Sequence, residues 1–381
     1  MRRYVEEFET AFKSDLEKSI MVNRISLTYL IFLFIALNAC VKREIEPSML
    51  INTSVSANVW LIPNESGDGR FYLQDVSDKM CYSIAAMDDG KAIIDTLSFS
   101  LHGYAFQYCV IGGDSVIAVS SDLADVQLVD FDGRRIKTIK NDIGVPAVTP
   151  NNWISMLDHR ILLDNSNTMY SVTDSQERMR YYQSTAPVLS IDICTGHSCQ
   201  FGRFPEAYTK SNLNYWDYFP VICLNNQGVV ALSFRRDHFV SLYKNGEFLK
   251  SVPCKSRYIQ NIDPYPDDKA FDLGYYKIYE FCQPRYSKLI FDDVNNLYYR
   301  IAIHEKSEPI GNRMDAKDCP SWSVMVLSDE FKLLNEYLFY YKDYDPSVVF
   351  SSNGSLYVKK TPLKGSDSLV LAKFDFYTCA L

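Results

Sequence analysis

Five charged or titratable residues interrupt apolar stretches of the chain, where they could bind or transform a ligand. Arg235, Arg236 and His238 stand together in FRRDHFVSLYKNGEFL, and Arg300 and His304 interrupt LYYRIAIHE. Alternate residues of a strand share a face, so Arg300 and His304 should lie on the same side. These groups could bind an anionic or polar ligand from a channel, or catalyse acid–base hydrolysis or elimination on a polysaccharide. Charge exposed at a strand surface is the favoured alternative.

The segment 255–286 is unusually rich in tyrosine and is a second candidate site. Tyr275 and Tyr276 are neighbours within it. An aromatic ring offers an apolar face and tyrosine adds a polar tip, which suits a sugar or a peptide. Packing of the rings into a gap within the fold is the favoured alternative.

The ten cysteines define a third possibility. Cys194 and Cys199 flank Thr-Gly-His-Ser, and a hairpin there could bring the two thiols within range of a disulfide. Reduced cysteines that act as small packing residues are the alternative. A zinc site with His197 would lack a fourth ligand, so no metal is predicted, and no cofactor either.

The strongest chemical signal lies near the amino terminus, at Leu37-Asn38-Ala39-Cys40. The preceding apolar run, residues 25–37, is shorter than the roughly 20 residues that a membrane-spanning helix needs. It has the length of the apolar region of a signal peptide and follows a basic residue, Arg24. The four residues resemble the lipobox of bacterial lipoproteins, in which the cysteine thiol is acylated before cleavage. We therefore predict lipid on Cys40 and a membrane anchor. The alternative is an uncleaved signal anchor or a buried helix with a chance cysteine.

This signal predicts the organisation of the whole chain. Residues 1–20 should be an extension ahead of the true start at Met21, residues 21–39 the signal peptide, and residues 40–56 a flexible tether. Residues 57–381 should form the folded domain. The predicted location is the cell envelope, at the outer membrane, on its periplasmic face or at the cell surface. A net charge of −8 argues against a nucleic-acid partner.

The sequence of residues 57–381 predicts an all-β domain, because short apolar runs are separated by Asp-Gly, Asn-Gly and similar turns. Turn signals centred on Gly90, Gly133, Gly196 and Gly246 suit tight hairpins. Their spacing predicts a six-bladed β-propeller of four-stranded antiparallel blades. The alternative is a β-sandwich or two smaller β domains. The predicted units are 59–100, 105–140, 155–184, 187–250, 287–340 and 347–378.

LIFDDVNNLYYRIA at 289–302, FRRDHFVSLYKNGEFL at 234–249 and the lipobox together resemble a family of uncharacterised gut-bacterial lipoproteins, the domain of unknown function 4221 family. The resemblance covers roughly residues 55–381 and implies a six-bladed propeller of the TolB-like type at the cell envelope. It assigns no role to any residue.

The sequence contains no nucleophile elbow, phosphate loop, dinucleotide fingerprint or HExxH motif. A non-enzymatic role is therefore favoured, in which the domain binds or scaffolds a glycan, a peptide or another envelope protein. The alternative is a polysaccharide hydrolase or lyase with an active site that faces the channel.

Overall fold

The computed structural model describes residues 46–57, 59–62, 70–75, 81–86, 90–97, 106–111, 115–120, 125–140, 154–165, 175–209, 219–266, 269, 274–275, 279, 282–305, 321–363 and 366–376. Cys40, the signal peptide and the extension before it lie outside the described residues.

Strands dominate the described residues and form six separate four-stranded antiparallel sheets. Five sheets take four consecutive strands each. Blade one contains β2 Val59–Ile62, β3 Phe71–Asp75, β4 Cys81–Ala86 and β5 Ala92–Leu97, and blade two contains β6 Phe106–Val110, β7 Ser115–Ser120, β8 Asp125–Asp130 and β9 Arg135–Lys140. Blade three contains β10 Ser155–Leu157, β11 Arg160–Asp164, β12 Val188–Asp192 and β13 Ser198–Phe201, and blade four contains β14 Pro220–Leu224, β15 Val229–Phe234, β16 Phe239–Lys244 and β17 Glu247–Pro253. Blade five contains β18 Arg285–Asp292, β19 Leu297–Ile303, β20 Trp322–Leu327 and β21 Leu333–Phe339.

Blade six joins the two ends of the described chain. It contains β22 Tyr344–Ser352, β23 Ser355–Lys360 and β24 Ser368–Phe374, and β1 Met49–Ser56 completes it by pairing with β24. Inward residues of β1 alternate with exposed ones, and Thr53 Oγ1 donates to the Leu369 carbonyl at 2.9 Å. The predicted tether is therefore wrong for Met49–Ser56, because this stretch finds an open sheet edge to pair with.

Packing between blades closes the ring. The buried hydrophobic residues form six clusters, and each cluster takes its members from two neighbouring blades. In β7, Val116 and Ala118 face blade one, whereas Ile117 and Val119 face blade three. Alternation therefore buries both faces of a sheet that could not bury them alone. The predicted all-β, six-bladed propeller is confirmed.

The predicted borders of the third and fourth units are wrong. Blade three continues to Phe201, and the turn at Gly196 lies between β12 and β13 instead of opening the next unit. The reason is an insertion between β11 and β12 that contains helix α1, Ser175–Ser184. A second short helix, α2 Glu206–Thr209, follows blade three and contacts α1.

The two ends of the ring differ because successive strands are antiparallel. Connections from the first to the second and from the third to the fourth strand of a blade lie at one end, which we call the short-turn end; residues 245–246 and 353–354 are examples. The other connections lie at the opposite, long-connection end, including 254–284 and 304–321. Inner strands β2, β10, β14, β18 and β22 contact the inner strands of neighbouring blades around a central channel. Within the described part of the chain, no helix has the length and hydropathy to cross a bilayer.

Candidate functional site

Arg300 lies in β19, the second strand of blade five, and is fully buried. Its neighbours on the same face, Tyr298 and Ala302, pack against blade four. Alternation therefore aims the guanidinium at blade four, near the long-connection end.

Blade four supplies carbonyl and hydroxyl acceptors for this guanidinium. Nη1 donates to the carbonyl of Cys254 at 2.6 Å and to that of His238 at 3.1 Å. Nη2 donates to the carbonyl of Asp237 at 2.7 Å and to Ser233 Oγ at 2.9 Å. Burial lowers the pKa of Arg300, but guanidinium is basic enough to stay charged. A buried charge is tolerated when it is surrounded by such acceptors.

Tyr286 joins Arg300 to His238. The guanidinium carbon lies 3.5 Å from the centroid of the Tyr286 ring, in a cation–π contact. The Tyr286 hydroxyl lies 2.8 Å from His238 Nδ1 and accepts a hydrogen bond from the Ser256 amide at 3.1 Å. Burial, followed by the charges of Lys255 and Arg300, lowers the pKa of His238 from 6.5 to about 4. His238 is therefore neutral at neutral pH.

His304 belongs to the same polar group through a buried carboxylate. Glu336 Oε1 accepts hydrogen bonds from Ser256 Oγ at 2.5 Å and Ser323 Oγ at 2.6 Å. Ser323 Oγ also lies 2.9 Å from His304 Nε2. A hydroxyl has a single proton, and Ser323 uses it to donate a hydrogen bond to Glu336. Nε2 of His304 must therefore carry the imidazole proton and donate it in a hydrogen bond to Ser323 Oγ. We call Tyr286, His238, Ser256, Arg300, His304, Ser323 and Glu336 the interblade cluster.

Arg236 and the described tyrosines of the insertion pack beside this cluster. Arg236 is buried, donates to the Pro284 carbonyl at 2.9 Å and lies 4.8 Å from the centroid of the Tyr279 ring. Tyr265 lies between Tyr279 and Tyr275, with centroid distances of 5.0 and 5.5 Å. These described rings pack on one another, as the alternative interpretation expected. Tyr276 lies outside the described residues.

The structure brings His238, Arg300 and His304 together, in surroundings that the sequence did not predict. Arg300 and His304 share a face, as predicted. They are buried between two blades, so both expected positions, an exposed strand surface and the channel lining, are wrong for them. The reason is that β19 is a second strand with a blade on each face. Arg235 is half-buried in the β15–β16 turn, where its carbonyl accepts from the Tyr286 amide. That any of these residues, or Tyr275 and Tyr276, binds a ligand stays a prediction.

Sequence reasoning missed Glu336, although a signal was present. Glu336 interrupts the apolar strand LLNEYLF much as Arg300 interrupts LYYRIAI. The criterion that marks Arg300, a charged residue inside an apolar strand, would also have marked Glu336. Tyr286 carried no comparable signal, because tyrosine is common in strands.

A cavity of about 500 Å³ occupies the channel at the short-turn end. Most of the residues that line it belong to β2, β10, β14, β18 and β22 or to the turns beside them. The lining combines leucine, isoleucine and phenylalanine side chains with amides and hydroxyls, among them Asn225, Asn226 and Ser351, and with the carboxylates of Asp158 and Asp293. Arg70 at its edge is held by Asp95, with 2.7 Å between Nη2 and Oδ2. The cavity could therefore hold a ligand with apolar faces and hydrogen-bonding groups.

Cys194 and Cys199 are free thiols, so the possible disulfide between them is not formed. Cys199 pairs with Ser190 across β12 and β13, whereas Cys194 lies in the turn. Asp192 Oδ1 holds that turn by accepting from the amides of Cys194 and Thr195. Cys199 lines a second cavity, of about 440 Å³, between blades three and four, where Arg160 Nη1 lies 3.6 Å from its sulfur.

The fold and the site together define a six-bladed β-propeller with an enclosed polar cluster between blades four and five and an open cavity in its channel. The chain belongs to the family described as domain of unknown function DUF4221, whose model matches residues 106–338, more than half of its length. The family resemblance seen in the sequence is thereby confirmed.

One solved structure supports this assignment of the fold, and two others are more distantly similar. A DUF4221 family member from Bacteroides vulgatus is 15% identical, with a TM-score of 0.68 over 88% of this chain and 97% of that chain. A virginiamycin B lyase from Staphylococcus aureus, in a complex with quinupristin, is 11% identical, with a TM-score of 0.40 over 84% of this chain and 98% of that one. Hsv2 from Kluyveromyces lactis is 8% identical, with a TM-score of 0.40 over 80% and 71%. No curated protein matches the chain.

Proposed function

We propose that the chain is a lipid-anchored protein of the bacterial cell envelope whose propeller binds or scaffolds a glycan, a peptide or another envelope protein. The observation that carries the binding role is the open cavity of about 500 Å³ in the channel. The motif at Leu37–Cys40 supports the anchor, through lipid on the Cys40 thiol at the outer membrane.

The position of the charged residues favours binding over hydrolysis or elimination. The alternative polysaccharide hydrolase or lyase needs Arg235, His238 or Arg300 to meet a substrate together with an acidic side chain. None of the three lines the channel cavity, and Arg300 donates hydrogen bonds to carbonyl groups of blade four. Glu336, the nearby acid, is buried and accepts from serine hydroxyls.

The lining of the cavity indicates the chemistry of its ligand. Asn225 fixes the β14–β15 turn at the cavity, because its side-chain oxygen accepts from the amides of Gln227 and Val229. Amides and hydroxyls beside apolar surface are typical of sites that hold neutral, hydroxyl-rich or peptide groups.

Blocking the cavity tests the binding role. Asn226 is an exposed residue of the β14–β15 turn that lines the cavity, and Asn226→Trp should fill the opening without disturbing a strand. Glu330→Trp, in an exposed turn at the same end of the ring, is the matched control. The probes are neutral gluco- and galacto-oligosaccharides and neutral tripeptides, followed by saturation-transfer NMR. We expect at least one class to give signals with the wild-type protein and the control, and to lose them with Asn226→Trp. Signals that are equal in both variants, or no signal from either class, would contradict a binding cavity.

The anchor is tested separately in cells. Cys40→Ala removes the thiol that would be acylated, so the protein should leave the membrane pellet. A variant that stays in the pellet after a carbonate wash would show that something other than lipid on Cys40 holds the protein there.

A further inference from the structure

Two irregular stretches of neighbouring inner strands meet in the channel. In β18 the register with β19 shifts between Tyr286 and Lys288, and in β22 the register with β23 shifts between Asp345 and Val349. Lys288 Nζ crosses this gap and donates to the Ser347 carbonyl at 2.7 Å. Such bulges re-aim side chains and are common beside functional sites. Two of them therefore place one lysine amine between blades five and six.

The surroundings of this amine are charged as well as confined. Asp345 Oδ2 lies 3.0 Å from Lys359 Nζ. Burial opposes the ionisation of Asp345, but the charge of Lys359 and the Ser347 amide outweigh it and lower the pKa of Asp345. For Lys288, burial, helped by Lys359 and opposed by Asp345, lowers the pKa to about 7. Two lysines around one aspartate leave an excess of positive charge when Lys288 is protonated.

This cluster opens toward the channel. Ser347 is exposed and Lys288 and Asp345 are partly exposed, although all three lie on innermost strands. The cavity at the short-turn end begins one residue further along β18, at Leu289. The carboxylates that line this cavity, Asp158 and Asp293, are exposed in turns at the short-turn end, whereas Lys288 lies toward the long connections.

We propose that Lys288, supported by the Lys359–Asp345 pair, forms an oxyanion-binding subsite in the central channel. The subsite would take a carboxylate or phosphate group of a ligand whose remaining part occupies the adjoining cavity. A partly desolvated amine interacts strongly with an anion, because the local dielectric is lower than that of water. The subsite rests on the proposed binding role of the channel and specifies the charge of the ligand.

The effect of anions on the pKa of Lys288 provides the test. The full chain labelled with ¹³C at lysine Cε is titrated with pH in sodium chloride, in phosphate and in acetate of equal ionic strength, and Lys288→Met identifies the resonance. An anion that binds the ammonium form should raise the pKa of Lys288 from about 7 in chloride. The rise should be roughly half a unit once the anion is a few times more concentrated than its dissociation constant. The chemical shift of the exposed Lys250 should be the same in the three salts.

The outcomes distinguish a phosphate ligand from a more general oxyanion. They also distinguish failure of the subsite from failure of the proposed binding role. A response to phosphate alone assigns a phosphate ligand, and a response to both salts assigns a more general oxyanion site. No response to either salt would overturn the subsite. In that case, neutral probes that still depend on Asn226 would leave the proposed function standing. Conversely, a response of Lys288 without any neutral binder would support the subsite and count against neutral ligands in the cavity.

Discussion

The guanidinium of Arg300 links two connections of blade four to blade five. It donates to the carbonyls of Asp237, His238 and Cys254, which belong to two separate connections. The Asp237 and His238 carbonyls lie in the turn between β15 and β16, and the Cys254 carbonyl follows β17. The Cys254 amide also donates to the His238 carbonyl at 2.8 Å. One side chain thus fixes the turn before β16 and the start of the 254–284 connection against blade five.

Replacing Arg300 should destabilise the fold strongly. Arg300→Met keeps much of the volume but leaves several buried acceptors without donors, and each such group costs about 1–3 kcal/mol. We expect the free energy of unfolding to fall by about 3 kcal/mol or more in urea denaturation. Arg257→Met is the control, because Arg257 is an exposed neighbour and should change the value by less than about 0.5 kcal/mol. Equal effects of the two substitutions would contradict the role given to Arg300.

His238 should make the fold sensitive to acid. Its pKa is about 4 in the folded protein against 6.5 for an ordinary histidine, so the unfolded chain binds the proton more tightly. Stability that is present above pH 6.5 is therefore lost as the pH falls toward 4. His238 is half-buried, so we expect a loss on the order of 1 kcal/mol rather than the full value of the pKa shift.

Thermal unfolding at neutral and at acidic pH measures this contribution. His238→Gln keeps a polar partner for Tyr286 but has no proton to gain, so its loss of stability on acidification should be smaller than that of the wild-type protein. His197→Gln, at an exposed position in the β12–β13 turn, should behave as the wild type does. Identical acid profiles for all three proteins would show that His238 does not resist protonation.

At this scale, the sequence predicts which residues are unusual but not what they touch. A charge inside an apolar run marks Arg300 and His304, and the same criterion applied to RYSKLIFD would have marked Lys288. What such a residue faces depends on whether its strand is the first or the second of a blade. That order is set by the whole sheet, so a local pattern cannot supply it.

At the scale of elements, the turn signals were the most reliable predictors. Gly90, Gly133, Gly196 and Gly246 all have φ between 78° and 82°. This conformation is open to glycine at little cost, which is why Asp-Gly, Asn-Gly and similar turns mark the hairpins. Borders between blades were harder, since the insertion with α1 separates β11 from β12. Strand β1 was missed because its partner, β24, is more than 300 residues away.

Two of these glycines give a matched pair that tests the closure of the ring. A Cβ at Gly246 would meet only ordinary contacts, at 3.7 Å or more, whereas a Cβ at Gly90 would lie 2.8 Å from the Leu50 carbonyl oxygen in β1. Gly246→Ala should cost about 1–2 kcal/mol for the left-handed backbone alone. Gly90→Ala should cost more and should speed proteolytic cleavage within Met49–Ser56, because the backbone of β1 must move away.

Urea denaturation and limited proteolysis of the two variants measure this difference. If Gly90→Ala is no less stable than Gly246→Ala and β1 is cut no faster, blade one and β1 are not packed as closely as described.

At the scale of the molecule, six interfaces with one hydrophobic cluster each account for the ring. The period of turn signals predicted this architecture, because each blade is one repeat that needs its neighbours to bury both faces. The contents of the channel were not predictable in the same way. The channel brings together residues from five blades, including Leu61, Asn225 and Asn353, whose proximity follows only from closure.

The central claim is that lipid on one thiol holds a binding propeller at the cell envelope. The most direct test is mass spectrometry of the mature protein purified from membranes, with the intact mass and the amino-terminal peptide both measured. We predict a chain that begins at Cys40 and carries a diacylglyceryl group, with residues 21–39 removed. A mature protein that retains residues 21–39 and carries no fatty acyl group would contradict the claim.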